Sequence, residues 1–295
     1  MDIAPAVNRQ PGRWWAFLQF PLTRIVIAGL ALIIVLSAIQ ISSRATGIVP
    51  HTPLGVLVAV LIIVATLATY AGFVRVIERR RVVELGLAGA VPEFGSGFAV
   101  GFLLFALTML AIWCLCAVDV TAGGGWIALG YPLLDALIAA VTEETLMRGV
   151  LFRIVEERLG SWIALALSAA LFGALHAFNP GATPTSSIAI ALEAGVLLAA
   201  VFMVTRRLWM VIGLHTAWNF TEGGVFGASV SGTDAHGMLA SSFDGPDVLT
   251  GGAFGPEASI VAVLICLGTG AAFLWLASKR GHFVRPFWRR GARSG

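Results

Sequence analysis

The stretch VTEETLMRGV, residues 141–150, places Glu143 and Glu144 side by side, with Arg148 four positions beyond Glu144. Residues four apart share a helix face, so Glu144 and Arg148 are expected to form an ion pair in the favourable acid-before-base order. At about 100° per residue Glu143 points elsewhere, onto a face with Ala139, Ala140, Leu146 and Met147 and no local cation. A desolvated carboxylate without a partner suits general-base work on water. Glu144 then serves the fold and Glu143 is left free to react. Two more motifs supply complementary groups. In LFGALHAFN, Phe172 lies one turn before His176, and in IGLHTAWNF the residues His215, Trp218 and Asn219 fall on one face at i, i+3 and i+4. One carboxylate, two imidazoles and an amide can activate water and hold a developing oxyanion. The same residues allow a second reading, zinc held by Glu143, His176 and His215.

The elements that must position these groups are apolar. The chain has 295 residues, of which 58% are hydrophobic and 12% charged, and its mean hydropathy is +0.90. Apolar stretches of roughly 20 residues span a bilayer as helices. Eight are found, at about 22–42, 54–74, 98–118, 127–150, 162–178, 186–204, 208–226 and 258–278. An all-α fold follows, a polytopic transmembrane helical bundle, because helices satisfy their own backbone in lipid. Lys and Arg gather on the cytoplasmic side of short loops. With eight spans, every one of the 19 Lys and Arg residues except Arg44 falls on one side, which puts both termini in the cytoplasm. A multi-pass protein of the cell (plasma or inner) membrane is expected, with the lipid bilayer as its partner. The pI near 9.1 reflects these flanking charges and anionic lipid heads rather than a nucleic-acid partner. The first 20 residues, with Pro5, Pro11, Arg9, Arg13 and Trp14-Trp15, show no removable signal peptide. Cys114, Cys116 and Cys266 lack metal-ligand spacing and read as packing residues.

No composition shift divides residues 1–295, so one membrane domain is expected. The connector VIERRRVVELGL, residues 76–87, suggests a short amphipathic surface helix. The fourth and fifth spans make a hairpin with Gly160 at its left-handed turn. Glu143 lies 17 residues before that turn and His176 lies 16 after it. At about 1.5 Å per residue both sit roughly 25 Å from it, at one level. Ionisable groups at membrane depth are costly and often functional; those counted are Asp135, Glu143, Glu144, Arg148, His176, Glu193 and His215. Glu193 has no assigned role, and Asp135 suggests a wet cavity near the outer end. The Gly- and Ser-rich loop at about 227–257 reads as a solvated outer connector or a lid, and Pro256 and Glu257 suit the first turn of the last helix.

The motifs Glu143-Glu144-x-x-x-Arg148, Phe172-x-x-x-His176 and His215-x-x-x-Asn219, in this order on separate spans, resemble the signature of the CPBP family. These are the CAAX-protease and bacteriocin-processing (Abi) intramembrane proteases, related to the eukaryotic Ras-converting CAAX endopeptidase. The resemblance covers residues 75–225. It implies an endopeptidase acting on a membrane-associated or prenyl/CAAX-like protein or peptide substrate, with Glu143 activating water and His176 assisting. It also implies that His215 and Asn219 stabilise the oxyanion, that Glu144 and Arg148 hold the helix, and that Phe172 and Trp218 shape the pocket. The family is described both as metalloprotease and as glutamate-dependent without an essential metal, so zinc stays open here. Two readings compete with proteolysis. One is a non-catalytic membrane scaffold or regulator. The other is a proton-coupled transporter, against which no inverted repeat is found.

Overall fold

The structure is a computed structural model that describes residues 13–115 and 117–290. Pro5, Arg9, Pro11, Cys116 and Arg293 lie outside the described residues.

After a short helical turn at Arg13–Leu18 come three uninterrupted helices: α1 (Pro21–Ala45), α2 (Pro53–Val76) and α3 (Ala90–Cys114). The fourth rod, α4, is an α-helix over Gly130–Glu144, a π-helix over Thr145–Phe152 and an α-helix again over Arg153–Leu159. The hydropathic stretch ends near residue 150 because charges begin there, yet the helix runs on through them. The fifth rod, α5, is Ser161–His176. The sixth, α6, spans Pro184–Thr205 and turns π-helical over Ala191–Gly195. The seventh, α7, is α-helical over Leu208–Asn219 and π-helical over Phe220–Val225, and α8 is Ile260–Lys279. This is a multi-pass, all-α membrane bundle. Among the described residues six rods are long and apolar enough to cross a membrane; α5, with 16 residues, and α7 are not among them. At about 1.5 Å per residue α5 reaches only ~24 Å, less than a hydrocarbon core of roughly 30 Å. These two rods carry the two motif histidines.

One end of the bundle is rich in arginine and tied by ion pairs. Glu78 accepts from Arg24 at 3.0 Å, from Arg80 at 2.8 Å and from Arg153 at 2.8 Å, joining α1, the connector and α4. Glu84 pairs with Arg80 at 3.0 Å, and Arg206 binds Glu156. These charges hold the segment after Val76 in irregular turns, so the amphipathic helix expected at 76–87 does not form. Gly160 closes the α4–α5 hairpin at φ 80 and ψ 168, an extended positive-φ turn rather than the left-handed helical cap expected. A Cβ there would lie 2.8 Å from the Val284 carbonyl oxygen, so glycine is required for close approach as well as for its φ.

The opposite end is covered, which corrects the reading of residues 227–257 as solvated connector. The strand β1 (Val118–Ala122) pairs antiparallel with β2 (Leu239–Phe243), a small sheet the all-α expectation did not include. Phe254 is 1% exposed, and its carbonyl accepts from Gly232 N–H at 2.7 Å. Glu257 lies in a separate turn, Pro256–Ala258, and Ser259 instead caps α8 by accepting from Ala262 N–H at 3.1 Å. Contact between α3 and α7 depends on missing side chains: a Cβ on Gly101 would lie 2.2 Å from the Leu214 carbonyl oxygen, and one on Gly213 2.2 Å from that of Phe94. Small residues let membrane helices approach this closely, and α7 is thereby fixed at the level of the site.

Candidate active site

Glu143 and Glu144 end the first α segment of α4, and as successive residues they diverge by about 100°. The Glu144 side chain is 0% exposed and that of Glu143 is 36% exposed. Glu144 Oε1 accepts from Arg148 Nη1 at 2.9 Å and lies 2.9 Å from Nδ1 of His215 on α7. Arg148 is fully buried, and its Nη2 donates to the carbonyls of Ala194 and Gly195 on α6, both at 3.2 Å. These carbonyls sit where the π-helical stretch of α6 ends and the hydrogen-bond register changes. The guanidinium also lies 4.9 Å from the centre of the Phe172 ring on α5. One ion pair thus joins four rods.

The carboxylate of Glu144 can only accept, so Nδ1–H of His215 donates to it and Nε2 is turned outward. That nitrogen lies 3.9 Å from Glu143 Oε2. A single imidazole therefore stands between the two adjacent glutamates, and Glu144 orients His215 in addition to pairing with Arg148. His176, the last residue of α5, donates Nδ1–H to the Phe172 carbonyl at 2.8 Å, which leaves its Nε2 lone pair available. Glu143 and His176 line one cleft of about 180 Å³, with Phe172 and Asn179 in its walls. Phe172 is 2% exposed, and its ring centre lies 4.6 Å from that of His176 and 6.1 Å from that of His215. It spaces the two imidazoles.

Asn219 is the last α-helical residue of α7, and it is half-buried. It lines two spaces. The inner one, about 20 Å³, is shared with His176, His215 and Trp218 and has room for one water molecule. The outer one is an open cleft of about 500 Å³ shared with Asp135 and Ala139. Trp218 is 4% exposed and packs edge-on against Phe105 at 5.0 Å, so most of its surface serves packing. Asp135 stands apart from the inner groups and receives His51 Nε2 at 2.8 Å beside the outer cleft.

Glu193 is 2% exposed and borders the inner cavity, where Cys266 Sγ lies 3.6 Å from its Oε1. Two buried acids near it were not among the site residues read from the sequence, Glu222 and Glu257, the latter read only as a first-turn residue of the last helix. Glu222 is fully buried, and neither of its carboxyl oxygens has a hydrogen-bond partner among the described residues. Its signal was present, since it lies inside the seventh apolar stretch three residues after Asn219. Glu257 borders the inner cavity and accepts from Ser231 Oγ at 2.7 Å. Burial pushes the Glu257 carboxyl above its ordinary range, while the Ser231 hydrogen bond opposes that shift. No local pattern could reveal this contact, because it comes from the covering segment folding back.

Glu143 Oε2 and His215 Nε2 stand 3.9 Å apart, and the other nitrogen of His215 is bound to Glu144. Among the described residues, no group of three His, Cys, Asp or Glu side chains is arranged to hold a metal.

Residues 124–221 match the family model described as type II CAAX prenyl endopeptidase Rce1-like. The matched segment contains all three motifs and lies within residues 75–225. Neither curated proteins nor solved structures gave a match.

Proposed function

We propose, from the premise that residues 124–221 belong to the CAAX-protease family, that the chain is a glutamate-dependent intramembrane endopeptidase acting on a membrane-associated polypeptide. The observation that supports this reading is the cleft shared by Glu143 and His176, which brings a carboxylate and an imidazole to one space. A water there donates one hydrogen to the Glu143 carboxylate and the other to His176 Nε2, which leaves an oxygen lone pair for the scissile carbonyl carbon. Glu143 takes the proton as the C–O bond forms. The oxyanion accepts from the Asn219 amide and, when His215 carries its second proton, from Nε2–H. When the C–N bond breaks, the proton held by Glu143 passes to the leaving amine. The products are one carboxylate and one amine.

The Glu144–Arg148 pair supports this sequence by holding His215 in one tautomer and orientation. An orienting carboxylate behind an imidazole does the same in other hydrolytic sites. The test is turnover of internally quenched peptides by purified full-length chain in detergent, run in ¹⁸O-labelled water. One ¹⁸O atom is expected in the new C-terminal carboxylate of the cut peptide. Absence of cleavage across a broad panel would favour a scaffold or regulator instead.

A further inference from the structure

The end of the bundle at which the site opens bears on what can reach it. Glu143 lies 17 residues from Gly160 along α4, and His176 lies 16 along α5. The catalytic cleft is therefore about 25 Å from the arginine-rich end, in the far part of a core roughly 30 Å thick. On the arginine side, Arg24, Glu78, Arg153 and Glu157 form an ion-paired network that ties the connector and α1 to α4. On the other side, the cleft of about 500 Å³ runs inward from the surface to Asn219. Its floor on α4 is made of the small residues Ala136 and Ala139, and Ala139 is one turn from Glu143 on the same face. Its walls carry His51, Asp135, Asp234 and His236. At this end Asp119, Asp135, Asp234, Asp244 and Asp247 face a single Lys or Arg, Arg44. The mouth of the cleft lies in a negative field that draws cations.

Arginine-rich ends face the cytoplasm. We infer that the scissile segment enters from the extracytoplasmic face, through the cleft between α4, the loop carrying His51 and the covering segment at Thr233–His236, and that it is a polypeptide carrying basic side chains. A tail presented on the arginine-rich side would have to cross most of the bilayer to reach Glu143. This inference rests on the proteolytic reading above for what happens to the segment, and on geometry and charge alone for the side from which it comes.

Two measurements test it. In full-length protein with Cys114 and Cys116 replaced by Ser, and Cys266 retained because it is fully buried, Thr233→Cys and Arg81→Cys are made singly at exposed positions on opposite ends. A membrane-impermeant maleimide should label Thr233→Cys in spheroplasts and Arg81→Cys only in inverted vesicles. The reverse pattern overturns the assigned entry face. In detergent, two quenched peptides that differ only in flanking Lys or Glu are compared. The Lys peptide should show a severalfold higher kcat/KM, with the ratio falling towards one at high salt and in the Asp135→Asn/Asp234→Asn variant. Equal rates, or preference for the Glu peptide, overturn the assigned substrate charge. If neither peptide is cut while Thr233→Cys labels from outside, the outward orientation of the cleft stands and the proteolytic reading, with the substrate assigned to it, is what fails.

Discussion

Replacing either of the two adjacent glutamates by glutamine changes only one oxygen to NH2, yet the structure assigns the two replacements opposite consequences. At 144 the carboxylate is 0% exposed and serves a fully buried Arg148 at 2.9 Å and His215 at 2.9 Å. Gln keeps one oxygen but loses the charge, which leaves a guanidinium buried against two neutral carbonyls. Breaking a buried pair in this way costs about 3–5 kcal/mol. At 143 the side chain is 36% exposed, and the imidazole Nε2 of His215 is 3.9 Å away. A substitution so placed changes stability by about 0.5 kcal/mol or less, whereas loss of a general base lowers turnover on the order of 10²–10⁴-fold. The assay pairs thermal unfolding of detergent-purified protein with cleavage of a quenched peptide. Glu143→Gln should melt with wild type and fail to cut. Glu144→Gln should melt several degrees lower, and combining it with Arg148→Met should cost less than the sum of the single changes, because the two residues share one interaction. Equal destabilisation by Glu143→Gln and Glu144→Gln, or normal cleavage by Glu143→Gln, refutes the division of roles.

Gly213→Ala would place a Cβ 2.2 Å from the Phe94 carbonyl oxygen and push α7 outward by about 1 Å, which at His215 and Asn219 is worth on the order of 10²-fold in kcat; unchanged turnover would show that the seam does not set the site. Glu78 and Glu222 are both buried acids, but Glu78 meets three guanidiniums while Glu222 meets none among the described residues. Glu78→Gln should cost about 3–5 kcal/mol and Glu222→Gln should be neutral or stabilising by unfolding in detergent; the opposite order would contradict the pairing argument. Peptide turnover should survive an excess of chelator, and stoichiometric zinc by elemental analysis, lost together with activity, would return the metal reading.

The i, i+4 spacings were legible because a helix converts them directly into shared faces. The Glu144–Arg148 pair and the His176–Phe172 contact are both of this kind. What crosses between rods was not legible. The sequence treats Glu144 and His215 as unrelated residues 71 positions apart, and only packing of α4 on α7 makes them partners. The π-helical stretches beside Arg148, Glu193 and Asn219 have no pattern in hydropathy, since a widened turn changes register without changing composition. The covering segment was misread for a physical reason. Glycine signals freedom of the chain but also close approach, and at Gly232 a Cβ would lie 1.7 Å from the Pro180 carbonyl oxygen. There the glycine marks packing.

The distribution of scarce charge follows from the cost of burying it. At the arginine-rich end, Glu78, Glu84, Glu156 and Glu157 each have a guanidinium within 4 Å, so the desolvation of one ion is offset by its partner and the pair holds rods together. In the site a single buried guanidinium, Arg148, is committed to Glu144. Among the described residues Glu143 has imidazoles beside it, His215 at 3.9 Å and His176 across the cleft, rather than a guanidinium of its own, and an imidazole can gain or lose its charge near neutral pH. A carboxylate locked to an arginine cannot exchange protons with a substrate, whereas one that faces water, an imidazole and a cleft can. Placing Glu144 and Glu143 next to each other lets one turn of helix do both: the first residue anchors the frame from which the second, pointing about 100° away, reaches the water.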